Sequence, residues 1–133
     1  MAVTSTESVP VQSEPDVVTV RRRVREIATQ LGFSLVDQTK LVTAASELAR
    51  NTIIYGGGGT LAMETLNGPR LGVRLTFEDK GPGIPDIDLA LRDGFTTGSG
   101  LGLGLGGAKR LVSEFQIDSR VGKGTKVIIT RWK

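Results

Sequence analysis

The stretch Gly98-Ser99-Gly100-Leu101-Gly102-Leu103-Gly104-Leu105-Gly106-Gly107 alternates glycine with leucine and runs straight into a helical pattern carrying Lys109 and Arg110. Seven of the fourteen positions from Gly94 to Gly107 are glycine, in a chain with 18 glycines among 133 residues, so the excess is concentrated in one loop. Bare backbone amides ahead of the positive end of a helix form an anion cradle. The loop lacks the Lys-Ser or Lys-Thr of a Walker motif, and no strand leads directly into it as a dinucleotide fingerprint requires, which disfavours both common phosphate-binding folds. A flexible linker is the competing reading, although linkers seldom alternate with leucine and rarely fall inside one small domain.

On the C-terminal side, Gly107 to Phe115 has helical spacing at Leu111, Val112 and Phe115. Gln116–Arg120 and Thr125–Trp132 then read as a hairpin across Gly122-Lys123-Gly124. On the N-terminal side, Pro85 and Asp86 open a short helical segment through Leu91, and Thr60–Leu66 and Arg70–Glu78 are two strands around Asn67-Gly68-Pro69. Earlier still, Asp37 can cap a helix carrying Leu41, Ala44, Ala45, Leu48 and Thr52 on one face, which Gly56-Gly57-Gly58-Gly59 stops. The first helix starts at Ser13-Glu14-Pro15-Asp16, places Val17, Val20, Val24, Ile27, Ala28 and Leu31 at helical spacing, and ends at Gly32. Its other side carries Arg21, Arg22, Arg23 and Arg25, a solvated face that equally suits an acidic protein partner.

Val9 and Val11 permit a short edge strand, preceded by a flexible tail over residues 1–8. Helices first and hairpins later predict an α+β fold: a two-layer sandwich of a mostly antiparallel, mixed sheet covered by helices, in a single domain over residues 9–133.

Composition removes whole classes of chemistry. With no cysteine and no histidine there is no disulfide framework, thiolate site, His triad or phosphohistidine relay, leaving carboxylate, amide, hydroxyl and ammonium groups. The net charge of +3 is too small to argue for nucleic acid. No apolar run approaches bilayer length, and the first eight residues have no signal-peptide pattern, so the expected address is the cytoplasm and no membrane partner is expected.

Three further patterns can carry chemistry. Glu47 and Asn51, four apart on a helix, emerge on one face: the amide oxygen suits magnesium and the carboxylate can take a proton from a hydroxyl, while a solvated helix face explains the same pair. Glu78-Asp79-Lys80-Gly81-Pro82-Gly83-Ile84-Pro85 ends a strand in a sharp turn, where Asp79 can accept from an exocyclic amine and the missing side chains admit a flat purine; a plain tight turn is the alternative. Gly122-Lys123-Gly124-Thr125 alone is an ordinary hairpin turn.

Taken in order, E-x-x-x-N, D-x-G-x-G, G-x-G-L-G-L and G-x-G-T resemble the N box and the three glycine boxes of the GHKL superfamily of ATPases and kinases. Ser46-Glu47-Leu48-Ala49-Arg50-Asn51, Glu78 through Asp86 and Asp93 through Leu111 are most similar to the serine/threonine switch kinases of bacterial stress signalling, the RsbT type. The resemblance covers about Val9 to Trp132. It implies that Asn51 holds magnesium at the ATP phosphates, that Glu47 positions or deprotonates the substrate hydroxyl, and that Asp79 receives the adenine amine with Thr125 adding a polar contact. It further implies that Gly81 and Gly83 clear room for the base, that Gly98, Gly100, Gly102 and Gly104 form the lid, and that Lys109 belongs to the nucleotide site. An extra Leu-Gly step departs from the family's lid and shifts its glycine register.

The implied activity is phosphorylation by ATP of a Ser or Thr on a STAS-domain antagonist or scaffold protein, followed by activation of a PP2C-type phosphatase in a partner-switching module of the stress response. Two alternatives stay open: an anti-sigma factor kinase that binds sigma factor directly, and a non-catalytic nucleotide-gated adaptor, against which Glu47 argues. A detached histidine-kinase domain would follow a His-bearing helix, which this chain does not contain.

Overall fold

The computed structural model describes residues 2–91 and 104–133. Helix α1 (Glu14–Gln30) starts and ends where its sequence dictates, with Ser13 extended at the N-cap, Pro15 in the first turn and Gly32 in the left-handed region (φ 83°) just past its end, but the Ser13 side chain makes no capping hydrogen bond and Asp16 accepts from the Gln12 amide at 2.8 Å instead. It buries Val17, Val20, Val24, Ile27 and Ala28. Helix α2 (Leu35–Ile54) is capped by Ser34, whose hydroxyl accepts from the Asp37 amide at 3.1 Å. Asp37 was the expected cap. It lies in the first turn instead, because Ser34 meets the free amides one turn earlier and releases the Asp37 carboxylate for Arg131.

Five strands follow: β1 (Ala2–Val11), β2 (Gly59–Asn67), β3 (Gly72–Asp79), β4 (Glu114–Arg120) and β5 (Gly124–Trp132), in spatial order β1-β2-β3-β5-β4. Every pairing is antiparallel, so the expected mixed sheet is corrected. The hairpin return of β5 inserts it between β3 and β4, and these two never share hydrogen bonds. The N-terminal expectation also changes: Ala2 to Val11 pair along β2, with an irregularity between Val3 and Ser5, where a tail through Ser8 was expected. Exposed Thr and Ser residues hide this strand from a hydrophobicity reading; backbone pairing to β2 holds it, and Arg23 donates to Glu7 across to α1 at 3.0 Å.

Two short helices, α3 (Ile87–Ala90) and α4 (Gly104–Arg110), flank the glycine-rich stretch. The helical spacing read through Phe115 is cut short. α4 ends at Arg110, and Phe115 belongs to β4, because the Ser113 amide already donates to Thr130 at 2.9 Å and commits the chain to the sheet. The core lies between the helices and one sheet face, with Leu41, Ala44, Ala45 and Leu48 of α2 clustered with Leu61, Met63, Leu75, Phe77 and Ile129. Arg131 on β5 ties two helices to the sheet, donating to the Leu111 carbonyl after α4 at 2.9 Å and to Asp37 of α2 at 2.6 Å. Among the described residues, no helix is long and apolar enough to cross a membrane.

Candidate functional site

A cavity of about 380 Å³ opens between the C-terminal half of α2, the ends of β3 and β5, α3 and the start of α4. Its walls are mostly apolar, with Leu48, Phe77, Ile84, Leu89, Leu105 and Val127 contributing. Asn51, Asp79 and Thr125 are polar groups set into that wall. A concave, mostly apolar pocket with a few placed polar groups suits an organic ligand.

Sheet register brings the polar groups together. Asp79 is the last residue of β3 and pairs with Gly59 on one side and Thr125 on the other, so two residues far apart in sequence become neighbours. The turn after β3 orients the carboxylate: the Gly81 amide donates to Asp79 Oδ1 at 2.9 Å. Among the described residues no cation stands within ion-pair distance of Asp79, and its second oxygen retains acceptor capacity.

The glycines of this turn have separate reasons to be glycine. A Cβ on Gly81 would stand 2.6 Å from the Gly56 Cα, so the missing side chain lets the end of α2 pack against the turn. Gly81 is expected to clear room for a base; it does not line the cavity, and its missing side chain faces the Gly56 backbone. Gly83 does line it, at a positive φ of 80° that side chains disfavour.

Asn51 reaches the cavity from the last turns of α2. Glu47, one turn earlier, is buried outside the described lining, 3.9 Å from Arg50. Gly104 starts α4 at the cavity edge with φ 56°. Lys109 lies in the last turn of α4, exposed and away from the cavity lining, so it is not brought to the other site residues. Gly98, Gly100 and Gly102 lie outside the described residues.

Sequence reasoning missed Ser119. Its hydroxyl shares a 2.7 Å hydrogen bond with Thr125 and accepts from the Ile84 amide at 2.7 Å, joining β4, β5 and the turn that carries Gly83. The signal was available in the hairpin: a turn centred on Gly122 pairs Ser119 with Thr125. Tyr55 and Leu89, also on the wall, had no such signal, since each belongs to the site only through tertiary packing.

Residues 36–133 match the family described as histidine kinase-, DNA gyrase B- and HSP90-like ATPases. The chain is 44% identical over 125 residues to the serine/threonine-protein kinase RsbT of Bacillus subtilis (strain 168), covering 93% of this chain and 94% of that one. It is 32% identical over 117 residues to an anti-sigma F factor of Thermoanaerobacter sp. (strain X514), covering 84% and 82%. Among solved structures, the RsbU and RsbW domains of Rv1364c from Mycobacterium tuberculosis superpose with a TM-score of 0.68 at 26% identity, over 97% of this chain. This chain spans 32% of that longer one.

Proposed function

This chain belongs to the histidine kinase-, DNA gyrase B- and HSP90-like ATPase family, and from that premise we propose that it is an ATP-dependent serine/threonine protein kinase of a bacterial partner-switching module. The observation that carries the reading is the 44% identity to a serine/threonine-protein kinase over nearly the whole chain. Its protein substrate is a STAS-domain antagonist or scaffold, and its second partner a PP2C-type phosphatase that the kinase activates after phosphorylation releases it. A cytoplasmic address goes with these partners.

The residues suit this chemistry. Asp79 accepts a hydrogen bond from the adenine amine, with Thr125 beside it, while Phe77, Ile84 and Val127 exclude water from the ring. Asn51 offers a hard oxygen at the cavity edge. Magnesium keeps water and phosphate oxygens and takes few protein ligands, so a single amide oxygen such as that of Asn51 suits it. Bound ATP with magnesium supplies the phosphoryl group and neutralises its charge. Glu47 takes the proton of the acceptor hydroxyl, and the lid role that the resemblance implies for Gly98, Gly100, Gly102 and Gly104 belongs to the same proposal.

The likeness to anti-sigma F factors supports a second reading, in which the chain also grips a sigma factor. Incubating the protein with labelled ATP and the STAS-domain proteins of its own genome, then mapping the phosphosite, tests the first. Transfer to a single Ser or Thr is expected; no transfer together with tight binding to a sigma factor would favour the second.

A further inference from the structure

Arg50 immediately precedes Asn51 on α2 but leaves the helix on the side of α1 rather than toward the cavity. Its guanidinium spans two carboxylates: Nη1 is 3.9 Å from Glu47 Oε1, and Nη2 is 3.6 Å from Oε1 of Glu14, the first residue of α1. The two acids differ in exposure. The Glu47 side chain is 6% exposed and that of Glu14 is 69% exposed, so water can solvate Glu14 but scarcely reaches Glu47. A buried carboxylate needs a compensating charge, and among the described residues Arg50 is the cation within reach of Glu47. The distance matters as well. At 3.9 Å the pair is an ion pair without a hydrogen bond, so both Glu47 oxygens keep their lone pairs for another donor.

We propose that Arg50 is a positioning residue for phosphotransfer: its guanidinium, set between Glu14 at the start of α1 and Glu47, aims the Glu47 carboxylate without occupying its lone pairs. This rests on the reading of Glu47 as the proton acceptor. A bidentate salt bridge would lock Glu47 and consume its acceptor capacity. With no cation at all, a buried charge would be left uncompensated. The observed spacing avoids both, and the rigid planar fork of arginine reaches two acids on different helices at once, a geometry the single ammonium of lysine reproduces poorly.

The test is single-turnover transfer from labelled ATP to the STAS-domain substrate, run beside calorimetric ATP binding. Arg50→Ala is expected to slow transfer about ten- to a hundredfold, the cost of a misplaced catalytic group, with ATP affinity within about twofold of wild type. Arg50→Lys is expected to recover part of the rate. In the Glu47→Ala background, Arg50→Ala is expected to cost less than about threefold more, because a residue acting through Glu47 has nothing left to act on. Additive losses in the double variant, a large fall in ATP affinity, or normal transfer by Arg50→Ala beside an inactive Glu47→Ala would each overturn this role alone. Wild-type turnover by Glu47→Ala would overturn this inference and leave the kinase reading standing, whereas no transfer by the wild-type protein would overturn both. If Arg50→Ala does not fold, as judged by thermal melting, Arg50→Lys and Arg50→Gln take its place: Lys is expected to transfer several times faster than Gln, and equal rates would overturn the role.

Discussion

Carboxylates at the periphery of this fold and carboxylates near its cavity are treated in opposite ways. Glu7, Glu64 and Asp37 each accept a direct hydrogen bond from an arginine, Arg23, Arg74 and Arg131 respectively, and that bond holds each carboxyl below its ordinary range. Among the described residues Asp79 instead accepts only from its own turn, and Glu47 meets Arg50 beyond hydrogen-bond distance. The peripheral acids give acceptor sites to arginine and so tie β1 to α1, β2 to β3 and β5 to α2. Among the described residues the inner two accept no hydrogen bond from an arginine.

Four substitutions can break or sharpen this contrast. The largest effect is expected at Glu47: Glu47→Ala should leave ATP binding intact while lowering phosphotransfer by about two to four orders of magnitude, the usual range for a general base. Near-normal turnover in a rapid-quench assay would return Glu47 to the scaffold. Asp79→Asn should weaken ATP binding about ten- to a hundredfold by calorimetry, since the amide can turn a donor toward the adenine amine and leave two donors opposed. Unchanged affinity in the folded variant would remove Asp79 from the ring contact.

Arg131→Met inverts the expectation. The loss of two charge-assisted bonds should cost about 2–3 kcal/mol of stability, lowering the melting temperature by roughly ten degrees, with ATP affinity nearly unchanged. A selective loss of ATP affinity would mean that the Leu111 contact tunes α4 and the cavity. The smallest effect is expected from acid titration of the Glu64–Arg74 pair. A carboxyl lowered in the folded state adds stability above its unfolded value of about 4.3, and that contribution is lost as pH falls through the lower folded value. Arg74 is 37% exposed, so the term is at most about 1 kcal/mol. Glu64→Gln should flatten the fall of stability below pH 4 in denaturant melts, and an unchanged slope would assign acid sensitivity to other groups.

Legibility followed the range of the interaction. α1, α2 and both hairpins could be read because turn glycines and periodicity act over a few residues, as at Gly32 and Gly122. β1 was read short because Thr4, Ser5 and Thr6 carry no hydrophobic alternation, and only β2 makes them a strand. Phe115 was drawn into a helix because its spacing fits one, while pairing with Ile129 of β5 places it in the sheet. In the site, Asn51, Asp79, Gly83, Gly104 and Thr125 stand out by motif and spacing and all line one cavity, whereas Glu47, Gly81 and Lys109 do not.

By itself the sequence determined which chemical groups exist and how they are spaced along each element: no thiol or imidazole, an acid and an amide one helical turn apart, an acid at a strand end, and glycines where backbones must approach. Tertiary structure alone decided which of those groups meet. Asp79 touches the register of Thr125 only because β5 folds back between β3 and β4, and Arg50 faces Glu14 only because α1 and α2 pack side by side. Periodicity and capping are set by neighbours in the chain, whereas strand order and helix packing are set by which apolar faces can be buried together, a property no local window contains.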